Sequence, residues 1–294
     1  MRVVVTGSAG RVGRAIVVRL AREHEVIGID RLPASTAVQH VGDIVDRRVL
    51  ASAFAGAQAV VHVAALHAPH VGTVPDAEFE RVNVEGTAAV IAAARSAGIR
   101  RIVFTSTTAL YGRATAARGR ATWIDEDVEP SPLTIYHRTK LAAEELLRAA
   151  AHEGLEVRIL RMSRCFPEPA DLMAVYRLHR GIDARDVAAA HAAALGHVGE
   201  QHHTWVISGK TPFLESDRQA LAEDAPSVLR ARAPELVDAY EARNWLLPKA
   251  IDRVYVSARA MRELAWQPRH GFAAVLAMLD QENAEVLPPV QIRR

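Results

Sequence analysis

The sequence predicts an α/β protein built on a doubly wound parallel sheet, and three observations carry that expectation. Short apolar runs alternate with alanine-rich stretches of helical length over the first two-thirds of the 294 residues. A glycine-rich segment, TGSAGRVG at residues 6–13, separates the first apolar run from the first helical stretch. An aspartate, Asp30, closes the second run. Regular alternation of this kind implies parallel strands with helices on both faces of the sheet.

Taken in order, the apolar runs place strands at Arg2–Thr6, Glu25–Ile29, Ala59–Val63, Arg101–Thr105, Glu156–Leu160 and Thr204–Ile207. The alanine-rich stretches place helices at Arg11–Glu23, Asp76–Ala97, Tyr136–Glu153 and Ala184–Leu195. Beyond Gly209 the alternation weakens. Prolines at 226, 234 and 248 then break the segment 217–248 into short helices and loops. The tail after Leu287 is expected to fray. The expected organisation is a dinucleotide-binding core over residues 1–160, followed by a mixed segment, 161–294. That segment completes the sheet over 183–210 and forms the substrate-binding and C-terminal region.

Composition narrows the function. The 36 basic residues nearly balance 34 acidic ones, a net charge of +2, so no nucleic-acid partner is expected. No apolar stretch reaches the length of a bilayer span or a signal-peptide core, and no membrane partner is expected. A single cysteine, Cys165, rules out an internal disulfide and fits the reducing cytoplasm.

The glycine-rich segment has a specific chemical reading. Gly7 permits a tight turn, Gly10 lets the backbone approach a pyrophosphate, and Gly13 allows close helix packing. The amides of the first helical turn, at Arg11 and Val12, attract the anion. Asp30 is placed to accept hydrogen bonds from an adenine ribose. Its carboxylate would repel a 2′-phosphate, which favours NAD, while the neighbouring Arg31 leaves NADP open. Asp43, beside Ile44, has two readings: a contact to the adenine or a cap for the following helix.

Tyr136 and Lys140, four residues apart on an expected helix, share one face. A phenol titrates near about 10, so a tyrosine base at neutral pH needs about 4 kcal/mol of preferential anion stabilisation. A nearby ammonium and a positive nicotinamide ring are neighbours of the right sign. The strand end Thr105-Ser106-Thr107-Thr108 offers hydroxyls to hold the substrate oxygen.

With these residues assembled, the chain resembles the extended short-chain dehydrogenase/reductase superfamily, the NAD-dependent epimerase/dehydratase group with its Rossmann-type fold. The resemblance covers residues 1 to about 210 and resumes at Asp252–Leu276. It rests on TGSAGRVG, Asp30, VVHVAA (Val60–Ala65), NVEGT (Asn83–Thr87), the hydroxyl-rich strand end and YHRTK. It implies that Tyr136 is the acid/base and that Lys140 also binds the nicotinamide ribose. Ala64, Ala65 and Asn83 join the cofactor-binding set. Counting back four residues from Tyr111 makes Thr107, rather than Ser106, the third catalytic member. Dehydratases resembling this family carry Asp-Glu after the threonine, whereas here Thr108 and Ala109 stand there, which argues against elimination chemistry.

The substrate region is short. Between Arg161 and Ala188 there is little chain with which to grip a nucleotide diphosphate, so a small sugar-like substrate is expected. The segment CFPEP (Cys165–Pro169) also resembles the uronate dehydrogenases, with two departures. Arg164 replaces an expected serine, and Met173 stands where an arginine is expected to hold a carboxylate. His67, Ser106, Arg164 and Arg185 are candidate substrate contacts. His62, His67 and His70 lack the spacing of a metal site, and none is expected. The implied activity is hydride transfer by a freely exchanging dehydrogenase. An epimerase that retains NAD and a non-catalytic dinucleotide sensor are the alternatives, and the resemblance implies that the alanine-rich helices 76–97 and 136–153 either pair in a homodimer or pack within the chain.

Overall fold

A computed structural model describes residues 1–34, 38–115 and 119–290. Strands β1 (Arg2–Thr6), β2 (Glu25–Asp30) and β3 (Val38–Val41) alternate with helices α1 (Arg11–Leu20) and α2 (Arg47–Phe54). Strand β4 (Ala59–His62) leads to α3 (Asp76–Phe79), a π-helical stretch at Glu80–Glu85, and α4 (Gly86–Ser96). Strands β5 (Arg101–Thr107) and β6 (Thr122–Ile124) precede α5 (Ile135–His152) and β7 (Glu156–Met162). Then come α6 (Ala170–His179), α7 (Ala184–Gly196) and β8 (His202–Ile207). Three short helices follow, α8 (Arg218–Glu223), α9 (Ala225–Arg232) and α10 (Pro234–Ala242), before β9 (Arg253–Tyr255), α11 (Ala258–Glu263) and α12 (Phe272–Asp280).

The main sheet has the order β3-β2-β1-β4-β5-β7-β8, and its neighbouring strands all run parallel. Chain direction across the sheet reverses between β1 and β4, which opens the crevice where doubly wound sheets bind ligands. One face is packed by α2, α4 and α5 through Phe54, Val90 and Leu147. The other is packed by α1 and α7, where Ala190 and Ala194 let the helix lie close to Ile16 and Val17. A third core forms around α6, α8–α10 and α12, with Leu229, Leu236 and Tyr240 at its centre.

The six expected strands are present, with β5 and β7 each running two residues further toward the site. The edge strand β3 and the three-residue strands β6 and β9 carry too few residues to show a period. The expected continuous helix at 76–97 is interrupted by the π turn. There Gly86 lies so close to the Ile44 side chain that a Cβ would sit 2.6 Å from Ile44 Cδ1. The expected fraying of the tail does not hold at its start. Leu287 exchanges backbone hydrogen bonds with Glu168 and Ala170, each at 3.0 Å, and Val290 donates to Asp171. Residues 291–294 lie outside the described residues.

Candidate active site

A cleft of about 470 Å³ opens at the carboxyl ends of β1, β4, β5 and β7. At its floor Gly7 takes φ +70°, and a Cβ there would meet the Ala64 amide nitrogen at 2.7 Å. A Cβ on Gly13 would run into the Gly7 carbonyl, so the first turn of α1 and the loop are in direct backbone contact. Gly10 caps α1 without a side chain, leaving the first-turn amides of Arg11, Val12 and Gly13 without a side-chain cap. Ser8 Oγ is buried with no protein partner in the same loop. A cradle that side chains would fill, unbonded donors at a helix start and an orphaned hydroxyl together fit a dinucleotide pyrophosphate.

Asp30 is held at the rim by two amides, Ala9 N–H at 2.9 Å and Leu32 N–H at 3.0 Å, one to each carboxylate oxygen. Each oxygen keeps a lone pair for a ribose hydroxyl. Asp43 and Ile44 also line the cleft. Of the two readings of Asp43, the helix cap is not what the structure shows. Asp46 caps α2, accepting from Arg48 N–H at 2.8 Å. Asp43 instead pairs with Arg81 at 2.9 Å. Burial works to raise its pKa, but Arg81 and the Val45 amide outweigh burial and hold the carboxyl below its ordinary range.

Ala64 and Ala65 line the cleft where β4 ends. Asn83 does not. It is buried in the π-helical turn, where its side chain accepts from Leu66 N–H at 2.8 Å and donates to Leu66 O and Thr139 Oγ1 at 3.0 Å. It braces the β4 loop against α5. His62 lies beneath, between Thr6 Oγ1 at 2.7 Å and Thr87 Oγ1 at 3.1 Å. Burial, with repulsion from Lys140, lowers its pKa to about 3, so it is neutral at pH 7.

Thr134 caps α5, which carries Tyr136 and Lys140 into the cleft on one face. Tyr136 is pushed up to about 12 by burial, against the opposing pull of the nearby Thr107 hydroxyl. Lys140 donates to Thr105 O at 2.7 Å and rests over the Phe104 ring, 3.8 Å from its centroid. Burial pulls its pKa down to about 7, against the attraction of Glu144. The ammonium is therefore fixed on the strand end, one helical turn from the phenol. Ser106 lines the cleft, but its hydroxyl donates to Glu144 Oε1 at 2.5 Å.

At the substrate end, His67 stacks on Phe166, with ring centroids 5.7 Å apart, and Arg164 bonds Glu168 at 2.6 Å while lining the cleft. Arg185 is not among the lining residues; it forks onto Asp183 at 2.8 and 3.0 Å, outside the cleft. Cys165 is buried in the wall, and burial pushes its thiol up, so it is a lining residue without nucleophilic character. Arg180 lines the cleft too, as do three residues to which the sequence assigned no role, Ser163, Arg253 and Tyr255. The last two lie in the C-terminal signature DRVYVS, which was a signal of kinship without a chemical assignment. The segment 216–245 contributes nothing to the cleft wall and buttresses α6 instead.

The sequence pattern of the NAD dependent epimerase/dehydratase family matches residues 3–170. The chain belongs to this family. It is an NAD(P)-dependent oxidoreductase of Rossmann-type fold. An L-arabinose 1-dehydrogenase (NAD(P)(+)) of Haloferax volcanii is 28% identical over 284 residues, covering 94% of this chain and 99% of its own. A UDP-glucose 4-epimerase of Erwinia amylovora is 27% identical over 179 residues, 55% of this chain and 52% of its own length. Among solved structures, a short-chain dehydrogenase/reductase superfamily protein from Agrobacterium tumefaciens with bound NAD superposes with TM-score 0.72 at 23% identity, over 97% of this chain and 96% of its own. A UDP-glucose 4-epimerase from Thermotoga maritima gives 0.71 at 18%, over 96% and 99%. At these identities the structural likeness speaks for the fold. No helix among the described residues is long and apolar enough to cross a membrane.

Proposed function

We propose that this protein is a freely exchanging, NAD-preferring dehydrogenase that acts on a hydroxyl carbon of a small sugar-like substrate. The observation that carries this reading is the connection from β7 to α7. It holds α6 and short loops only, which leaves little chain in that connection to grip a nucleotide diphosphate. In sequence, the match to a sugar dehydrogenase runs end to end while that to a UDP-glucose 4-epimerase covers 55% of this chain, which points the same way; in structure both kinds of enzyme superpose over nearly the whole chain.

NAD, when bound, accepts or returns the hydride. Thr107 orients the reacting oxygen through its hydroxyl, and Tyr136 takes or gives the oxygen's proton. Lys140, held on Thr105 O, supplies positive charge near the phenol and a donor for the cofactor ribose. Asp30 favours an unphosphorylated ribose.

The single free thiol, Cys165, supports cytoplasmic residence as part of this reading. Ala88 and Ala92 on α4 are exposed, beside the half-buried Leu141 and Ala142 on α5, and this face supports a homodimer, to be checked by light scattering. The deciding experiment denatures the purified protein and quantifies released nicotinamide cofactor. An empty protein that binds NADH, and oxidises sugars only while Tyr136 is intact, supports the reading. Stoichiometric retained NAD with isomer formation replaces it with an epimerase. Failure to bind either nucleotide overturns it.

A further inference from the structure

The backbone and the side chain of Arg11 face different partners. Its N–H stands in the uncapped first turn of α1, where the diphosphate of a dinucleotide fits. Its guanidinium reaches instead to the segment after β7 and to the C-terminal tail. Nη1 donates to Cys165 O, with Cys165 Sγ 3.2 Å away. Nε and Nη2 both bond Glu285 Oε2. Every nitrogen of this guanidinium is thus engaged by the chain's own acceptors, although Arg11 lines the cofactor cleft.

Glu285 is fixed in position for this contact. After α12, Asn283 N–H donates to Met278 O at 2.9 Å and Val286 N–H donates to Asn283 O at 3.0 Å, which sets the backbone on either side of Glu285. Glu285 N–H closes the turn on Asn283 Oδ1 at 2.9 Å. Val286 is buried in the third core, and Leu287 pairs with the backbone at Glu168 and Ala170, just after Cys165. The Glu285 side chain remains 43% exposed. An ion pair this open adds little to the stability of the fold. Its consequence for the cofactor is larger. A dinucleotide diphosphate is an anion, and Glu285 occupies, with like charge, the guanidinium of the helix turn on which that anion would settle.

We propose that Glu285 is a resident competitor for Arg11 and sets how readily the dinucleotide leaves. With the cofactor on the glycine loop, Arg11 turns from Glu285 to the diphosphate. As the cofactor departs, Glu285 recaptures Arg11. The carboxylate therefore weakens binding by withdrawing a charged hydrogen-bond donor from the diphosphate. Direct repulsion between the two anions, screened by solvent, is the lesser part. Glu285 is in this sense a positioning residue that acts through Arg11. The inference rests on the dehydrogenase reading: such an enzyme releases its nicotinamide on every turnover, and Glu285 is the residue that keeps it exchangeable.

The test follows NADH release from the full-length protein by stopped flow, with excess NAD to displace it. Glu285→Gln is expected to slow release at least fivefold and to tighten NADH and ADP-ribose alike. Adenosine, which lacks the diphosphate, should bind as it does to the parent. Arg11→Met is expected to speed release at least fivefold. Adding Glu285→Gln to Arg11→Met should then change the rate less than twofold, since the competitor has nothing left to withdraw. Thermal melts of the variants should match the parent, as the pair is open to solvent. An equal effect of Glu285→Gln with and without Arg11 would show bulk repulsion and overturn the competitor. Faster or unchanged release in Glu285→Gln overturns it too, as does a shift that adenosine shares. Slowed release with no sugar oxidised upholds the competitor and sinks the dehydrogenase reading. Sugar oxidation with release unchanged in Glu285→Gln does the reverse. A parent protein that holds NAD through purification, or that binds neither NADH nor ADP-ribose, overturns both.

Discussion

Ser106 donates a 2.5 Å hydrogen bond to Glu144 Oε1, beneath the strand end, while its neighbour Thr107 lines the cleft with Tyr136. Glu144 lies about two turns beyond Tyr136 on α5, so two hydroxyls one residue apart meet different stretches of the same helix and serve two different purposes. Glu144 has no solvent exposure and also receives Arg161 at 2.8 Å and Arg148 at 2.6 Å. Thr107→Ala is therefore expected to cut kcat at least 100-fold with an unchanged melting temperature. Ser106→Ala should keep kcat within about fivefold and lose about 1–2 kcal/mol of stability, because a buried carboxylate loses one donor. Steady-state kinetics and thermal melts on both variants check this, and the reverse pattern would exchange the two roles.

Two glycines of the loop separate by observable. A Cβ on Gly13 strikes the Gly7 carbonyl, whereas one on Gly10 stops 3.3 Å from the same oxygen. Gly13→Ala is expected to cost about 3 kcal/mol by backbone displacement, a fall in Tm on the order of 6 °C, before any cofactor is added. Gly10→Ala should melt near the parent temperature yet bind NADH at least tenfold more weakly, because its methyl stands where the pyrophosphate must approach. Differential scanning and NADH titration of each variant separate the cases.

The parts of the site legible in the sequence are those whose chemistry is local. Gly7, Gly13 and Asp30 declare themselves because a strand, a turn and a helix start lie within a few residues of each other. Tyr136 and Lys140 do so because one helical turn sets their spacing. Arg11 and Glu285, 274 positions apart, could not be paired from sequence. They meet only because Leu287 docks the tail on the segment after β7, a pairing too short to show a period. The hydroxyls at 105–108 were legible as a group, and all four line the cleft, but that Thr105 meets His191 while Ser106 meets Glu144 depends on pleat phase. Asn83 was legible as part of NVEGT, yet its contacts to Leu66 and Thr139 come from a π turn that no residue pattern announces.

Lys140 carries a stability cost with a pH signature. Burial brings its pKa from 10.5 to about 7 in the folded protein. Between those values the unfolded chain binds the proton that the folded one has released, so this group makes stability rise with pH across that window. Below about 7 the residue is charged in both states and the full cost is present. Lys140→Met should therefore stabilise the protein, and by roughly 2 to 3 kcal/mol more at pH 6 than at pH 9, while leaving only a residual turnover. Denaturant melts of both proteins at the two pH values measure it. An equal gain at both would mean that Lys140 keeps its proton throughout.

Tyr136 and Lys140 also set the pH dependence of oxidation as a pair. The phenol alone, near about 12, would leave almost no base at neutral pH. Loss of one proton from the pair, however, occurs near 7, at the amine. The resulting neutral phenol with neutral amine has the same proton count as phenolate with ammonium, so the catalytic ion pair is reached by internal proton exchange, without a further ionisation. Hence kcat/KM for oxidation is expected to rise through one ionisation near pH 7 and then level, while kcat/KM for reduction falls through the same point. In Lys140→Met the oxidation profile should lose that step, and its residual rate should climb about tenfold per pH unit to at least pH 10, following the phenol alone. Rate profiles from pH 5 to 10.5 in both directions test this. A parent enzyme whose oxidation rate keeps climbing above pH 9 would show that the two groups titrate independently.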